Sequence, residues 1–193
     1  MTSVETYLAG ENDLYDEDAA KTLIAAAKSI DIQTKISCLS PDEKMHLNKV
    51  ALDCRVAASF IFENIDMPLE IAKSLDLAGN SAFYIFDPYL KSDLKERAAR
   101  IYAAEGHPLE AAYAYLHAAE AIMYRRSAVR NLERLDCLMG EGLLLAHECQ
   151  ASISPEFVSR ILEMYDSLQI SMLHHPRERS YIKRGSYAQQ TDW

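Results

Sequence analysis

The sequence is poor in the residues that end helices and form tight turns. Glycine and proline contribute only six residues each to a chain of 193. A β-rich fold of this length requires many more turns, and with them more glycine and proline. The composition therefore argues against a β-rich fold and favours long helices joined by short loops.

Signals for membranes and for secretion are also lacking. No apolar run approaches the roughly 20 residues that a membrane-spanning helix requires. Residues 1–18 are acidic and lack the positive region and the apolar core of a signal peptide. The cysteines, Cys38, Cys54, Cys137 and Cys149, form neither a C-x-x-C pair nor a disulfide-framework spacing. We therefore expect a cytoplasmic protein with reduced thiols and without a membrane partner.

Motifs for catalysis and for cofactor binding are missing as well. The sequence contains no Gly-x-Ser-x-Gly, no G-x-G-x-x-G and no P-loop. Glu43 and His46 have the Glu-x-x-His spacing of di-iron bundles, but such a site needs a second copy and two further glutamates. Gly140 and Gly142 lie inside a predicted helix, where they bend the helix or allow close packing. We predict no catalytic activity, no metal and no cofactor.

Helix starts, by contrast, are easy to locate. Ser40 and Glu43 flank Pro41 in the pattern of a capping box, in which each side chain bonds to the other residue's backbone. Proline stands where a helix can begin at five places: Pro41, Pro68, Pro88, Pro108 and Pro155. The predicted helices span residues 16–30, 41–65, 68–85, 88–105, 108–126, 128–150 and 155–173. The segment to Leu39 is a connector or a short extra helix, and residues 174–193 form a polar tail that we expect to be flexible.

An internal repeat relates two of these helix pairs. Residues 62–72 match residues 102–112 at an offset of 40 residues, and both copies contain Pro-Leu-Glu where the second helix begins. A third and weaker copy runs through residues 128–173. The repeat predicts an all-α fold of stacked antiparallel helical hairpins. We expect one domain, residues 1–173, with hairpins at 41–85, 88–126 and 128–173 behind the first helix.

Residues 98–118 resemble a tetratricopeptide-type helical hairpin. Small and aromatic residues fall at the spacing of that motif: Ala99, Tyr102, Gly106, Ala111, Tyr115 and Ala118. The motif's closing proline would fall at Met123, and the 40-residue offset exceeds the tetratricopeptide period of about 34 residues. Longer hairpins of this kind look more like the helical layers of SNAP-type adaptors. The resemblance implies an α-solenoid that acts as an adaptor or scaffold and binds a partner peptide or helix.

The same resemblance implies which residues face the partner. In tetratricopeptide registry the first helix of each pair lines the concave face. Glu96 and Arg100 then face the partner from the middle hairpin, and His147 contributes from the last one. We expect most aromatic residues to lie in the core, including Phe60, Phe62, Phe83, Tyr84 and Phe86, although some tyrosines could line a groove.

A basic stripe is the sharpest electrostatic feature of the sequence. Arg126, Arg130 and Arg134 share one helix face because they are spaced by four residues. Such a stripe can dock an acidic peptide, a phosphate or RNA. The alternative is that the arginines neutralise the acidic surface of a neighbouring hairpin or of another copy.

The overall charge favours a protein as the partner. The net charge is −9, and all of it resides in residues 1–120. An acidic chain is repelled by nucleic acid and by anionic lipid unless it has a local basic patch. We therefore predict a non-catalytic protein–protein interaction module. The alternatives are a homo-oligomeric structural protein, a helical ligand carrier or enzyme with an unrecognised pocket, and an RNA-binding protein that uses the arginines.

Overall fold

Helices account for nearly all of the described chain. In a computed structural model of the protein, the described residues are 16–36, 38–124, 131–149 and 152–174, and they contain seven α-helices and no β-strand. The helices are α1 (Glu17–Ile36), α2 (Pro41–Asn64), α3 (Pro68–Tyr84), α4 (Pro88–Ala104), α5 (Pro108–Met123), α6 (Leu132–Glu148) and α7 (Pro155–His174). The prediction of an all-α fold is confirmed. No helix in this part of the chain is both long and apolar enough to cross a membrane.

Proline begins five of the seven helices, at the places that the sequence indicated. Proline suits the first helical position because its missing N–H would have no partner there. The predicted capping box is present at α2: the Glu43 N–H donates to Ser40 Oγ at 3.3 Å, and the Ser40 N–H donates to the Glu43 carboxylate at 2.8 Å. Asp87 caps α4 by accepting a hydrogen bond from the Leu90 N–H at 3.0 Å.

The first helix is longer than the sequence suggested. Helix α1 continues to Ile36, through most of the segment that we expected to be a connector or a short extra helix. Residues 17–36 include neither glycine nor proline, so nothing in the backbone stops the helix at residue 30. This extension matters for the site, because the last turns of α1 form one of its walls.

Three successive turns have the same backbone conformation. Asp66, Phe86 and Gly106 adopt left-handed backbone with φ of 55°, 59° and 74°. In each turn the next N–H donates to a carbonyl five residues earlier, at 3.0 Å from Met67, 3.1 Å from Asp87 and 2.8 Å from His107. This is a Schellman ending, and a proline two residues after the left-handed residue begins the next helix. From α3 to α5 the repeating structural unit is therefore one helix followed by one turn. This unit spans 20 residues, which is half of the 40-residue offset between the matching sequence segments.

Alanine dominates the core between the helices. Each helix from α1 to α5 packs against the next one, and α7 packs against α5. Residues Ala72, Ala78, Ala98, Ala112 and Ala118 are completely buried, and their small size lets the helix backbones approach closely. Larger buried side chains such as Leu75, Leu116 and Leu135 fill the remaining volume.

Candidate functional site

A groove with a volume of about 640 Å³ opens where α1 joins α2 and where α3 joins α4. The last turns of α1 and α3 and the first half of α2 form its walls. Phe86 in the α3–α4 turn, Lys91 near the start of α4, and His117 of α5 complete the lining. We refer to this feature as the α1–α4 groove.

Arg55 lies at the bottom of the groove and is only 2% exposed. Its guanidinium group donates from one nitrogen to the Asp31 carboxylate of α1 and from another to the Ser81 hydroxyl of α3. Arg55 itself belongs to α2, so it connects three helices. Its Nε is buried and has no hydrogen-bond partner among the described residues. The floor of the groove therefore carries a guanidinium group that is fixed in place, and its charge is compensated by Asp31.

Two lysines at the groove walls, by contrast, lack an acidic partner. Lys35 of α1 and Lys44 of α2 line the groove, and neither forms an ion pair with a described residue. Asp31 is the one carboxylate among the described lining residues, and it is already paired with Arg55. The groove is therefore a locally positive site on a chain whose net charge is −9.

Aromatic side chains form one side of the groove. Phe83, Tyr84 and Phe86 line it and are 50%, 55% and 80% exposed. The Phe83 and Tyr84 rings meet edge to face, with centroids 5.6 Å apart, and the Nζ of Lys91 lies 4.8 Å from the centroid of Phe83. We call these three residues the aromatic shelf. Our expectation that they belong to the core was wrong, as it was for Phe60. The faces of α3 and α2 that carry Phe83, Tyr84 and Phe60 are open to solvent, and Phe86 lies in the exposed turn after α3.

Phe86 also has an unfavourable backbone conformation. A left-handed backbone costs a residue other than glycine about 1 kcal/mol, because its Cβ crowds the following carbonyl. The equivalent position in the next turn is Gly106, which has no Cβ. The fold thus gains neither burial nor backbone stability from a phenylalanine at this position.

A buried carboxylate links the inner end of the groove to the last helix. Glu120 of α5 lies 3.4 Å from the Nζ of Lys91, 3.1 Å from the Nδ1 of His117 and 3.0 Å from a guanidinium nitrogen of Arg160 in α7. Burial alone would raise the pKa of Glu120. The hydrogen bond from His117 and the charges of Lys91, His117 and Arg160 outweigh burial and lower the pKa to about 2. Glu120 is therefore ionised at neutral pH and joins three helices.

The residues predicted from the sequence lie elsewhere. Arg134 of α6 bonds to Glu96 of α4 at 2.6 Å and to Asp93 at 2.6 Å, and Arg100 pairs with the same Glu96 carboxylate. These three predicted residues therefore form a cluster, but none of them lines the α1–α4 groove. His147 is exposed on α6 and is also absent from the groove lining.

Only one arginine of the basic stripe, Arg134, lies within the described residues. Arg126 and Arg130 lie outside the described residues, as does nearly all of the C-terminal tail. Arg134 bonds to acidic side chains of the preceding hairpin, which corresponds to the charge-neutralising alternative for that arginine. The cations that do line the groove were not anticipated from the sequence; they are Lys35, Lys44, Arg55 and Lys91.

A repeat of 20 residues in the sequence could have identified Phe86 as an unusual residue for its position. Aligning the sequence at an offset of 20 residues places Phe86 opposite Gly106, so an aromatic residue stands where the turn favours glycine. The lysines have no comparable signal, because their sharing of one groove depends on how α1 and α2 cross. Within the described ranges, no three His, Cys, Asp or Glu side chains converge as a metal site would require.

Comparison of the chain with protein-family models, with curated proteins and with solved structures finds no match. The fold and the groove together define its class: an all-α protein of consecutively packed helices with a positive groove that has aromatic side chains on one side.

Proposed function

We propose that the protein is a non-catalytic interaction module, an adaptor or scaffold, that binds a segment of a partner protein in the α1–α4 groove. Residues of five helices, α1 to α5, line the groove, and its volume of about 640 Å³ accommodates several side chains. The three repeated helix-and-turn units support a tetratricopeptide-like or SNAP-like class of solenoid. Four free thiols support a cytoplasmic location.

The exposure and the backbone conformation of Phe86 are the main evidence for this proposal. Its side chain is 80% exposed and its backbone is left-handed, so phenylalanine is costly there on two counts. Binding of a partner would bury the ring and recover the hydrophobic free energy that folding leaves unused. Phe83 and Tyr84 extend the same surface, and aromatic residues of this kind contribute much of the binding energy in protein interfaces.

The proposal is tested by replacing Phe86→Gly in the tagged, full-length protein. Glycine removes the strained Cβ, so the thermal midpoint should not fall, while a partner recovered from lysate of the native host should be reduced at least about tenfold. Asp66→Gly is the matched control, because Asp66 has the same backbone in the preceding turn and lies outside the groove. Recovery should be equal for the wild type and for this control.

Partner recovery that is the same for Phe86→Gly and for the wild type would refute a role for the aromatic shelf. Loss of the partner from both glycine variants would also count against it, because Asp66 does not contribute to the groove. Quantitative mass spectrometry of the bound proteins distinguishes these results.

Self-association is a second candidate. Leu144 of α6 and Leu162 and Ile170 of α7 are exposed near the C-terminal end of the helical stack. An uncapped end of a solenoid can pair with a second copy through such residues. A molar mass that rises with protein concentration in light scattering would favour this function over a monomeric adaptor.

A further inference from the structure

We infer that the segment bound in the α1–α4 groove is acidic and carries an aromatic or a large aliphatic side chain next to its carboxylates. The inference rests on the proposed function and specifies the chemistry of its ligand. Two features support it: the unpaired lysines of the groove and the adjacent aromatic shelf.

The charge of the groove is not satisfied within the described chain. Lys35 and Lys44 approach the groove from two different helices without a carboxylate partner, and Asp31 compensates only Arg55. Charges in a recess interact more strongly than charges on an open surface, because less water screens them. A ligand that brings two or more carboxylates completes these pairs, whereas a basic ligand would be repelled.

The remaining lining residues suit a peptide better than a small anion. Asn80 lines the groove on α3, and its exposed amide has no described partner, so it can donate to and accept from a peptide backbone. The aromatic shelf offers an apolar surface that a free phosphate or carboxylate could not use. RNA could stack on the shelf, but the net charge of −9 opposes its polyanionic backbone over the rest of the surface.

The experiment uses the full-length protein and three synthetic probes. The first is a fluorescent heptapeptide with one phenylalanine flanked on each side by three glutamates. The second has glutamine in place of every glutamate, and the third has alanine in place of the phenylalanine. Fluorescence anisotropy at low and at high salt should show that the first probe binds at least about tenfold more tightly than either of the others. Its advantage over the glutamine probe should shrink with added salt.

Two double variants locate the binding site. Lys35→Glu with Lys44→Glu reverses the charge of the two unpaired groove lysines. Lys28→Glu with Lys49→Glu makes the same charge change on the same two helices outside the groove. All four side chains are exposed or half-buried, so both variants should fold, which circular dichroism verifies. The groove variant should lose at least about tenfold in affinity for the acidic probe, and the control less than about threefold.

Equal losses in the two double variants would overturn the inference, because they would reflect net charge rather than the groove. Tight binding of the glutamine probe would also overturn it, yet leave a peptide-binding groove in place. Preferential binding of an oligouridylate that competes with the acidic probe would replace the peptide with RNA. Failure of all three peptides would overturn the acidic specificity. The comparison of Phe86→Gly with Asp66→Gly would then decide separately whether a partner uses the shelf.

Discussion

Gly140 and Gly142 are two residues apart on α6, yet they meet very different surroundings. A Cβ added at Gly142 would lie 2.9 Å from the Cγ of Leu116 and 3.2 Å from the Cβ of Tyr115, both on α5. At Gly140 no atom lies within 4 Å of the added Cβ. Of the two expectations for this pair, helix bending or close packing, the structure shows close packing at Gly142.

We therefore expect replacement by alanine to have opposite effects on the free energy of unfolding at these two glycines. Gly142→Ala should lower the free energy of unfolding by about 1–3 kcal/mol, because Leu116 is completely buried and has little room to move. Gly140→Ala should raise it by up to about 1 kcal/mol, because alanine favours the helix and meets only solvent. Urea denaturation measures both values, and equal stabilities of the two variants would contradict the close approach of α5 and α6.

Ion pairs join helices that are otherwise held by alanine contacts. Arg55 connects α1, α2 and α3, Lys95 of α4 pairs with Asp76 of α3 at 2.7 Å, and Glu120 connects α4, α5 and α7. Small apolar residues allow many sliding positions of one helix on another, whereas a buried pair has a narrow geometric optimum. We infer that these pairs fix the register between helices.

The low pKa of Glu120 predicts how the contribution of its ion pairs to the stability of the fold depends on pH. Its pKa is about 2 in the folded protein and near 4.5 when unperturbed, so ionised Glu120 stabilises the fold at neutral pH. The stabilisation is fully present above about pH 5 and is lost as the pH falls toward 2. Glu120→Gln should thus lower the free energy of unfolding by about 2–3 kcal/mol at pH 7.

The difference in the free energy of unfolding between Glu120→Gln and the wild type should be about as large at pH 5 as at pH 7, and it should narrow when denaturation is repeated at pH 3. Glu63→Gln, at an exposed position of α2, serves as the control and should behave like the wild type throughout. If the difference in the free energy of unfolding between Glu120→Gln and the wild type stays constant with pH, the carboxylate is not held ionised by its neighbours.

The helices could be predicted from local patterns because their ends are set locally. A proline, a capping residue and a left-handed turn act within a few residues of chain, and five helix starts were found at the correct residue on that basis. The end of α1 was missed because no such signal stands near residue 30, and an uninterrupted helix extends to Ile36.

The groove could not be predicted because it depends on contacts that are distant in sequence. Helical spacing places Phe83 and Tyr84 on one face of α3, but it does not show whether another helix covers that face. Lys35 and Lys44 become neighbours of one groove only through the packing of α1 against α2. Tetratricopeptide registry placed the expected binding residues at Glu96 and Arg100 of α4. The unpaired lysines of the groove, Lys35 and Lys44, belong instead to α1 and α2.

Site-specific photo-cross-linking in cells of the native host tests the groove's role most directly. A photoreactive phenylalanine analogue replaces Phe86 in one version of the full-length protein and Phe60 in another. Phe60 is a suitable control because it is a half-exposed aromatic residue that does not line the groove. We expect the analogue at Phe86, and not at Phe60, to cross-link a specific second protein through an acidic segment. Identical cross-links from both positions, or a cross-link at Phe86 only to a second copy of this chain, would contradict the proposal that the α1–α4 groove binds a partner protein.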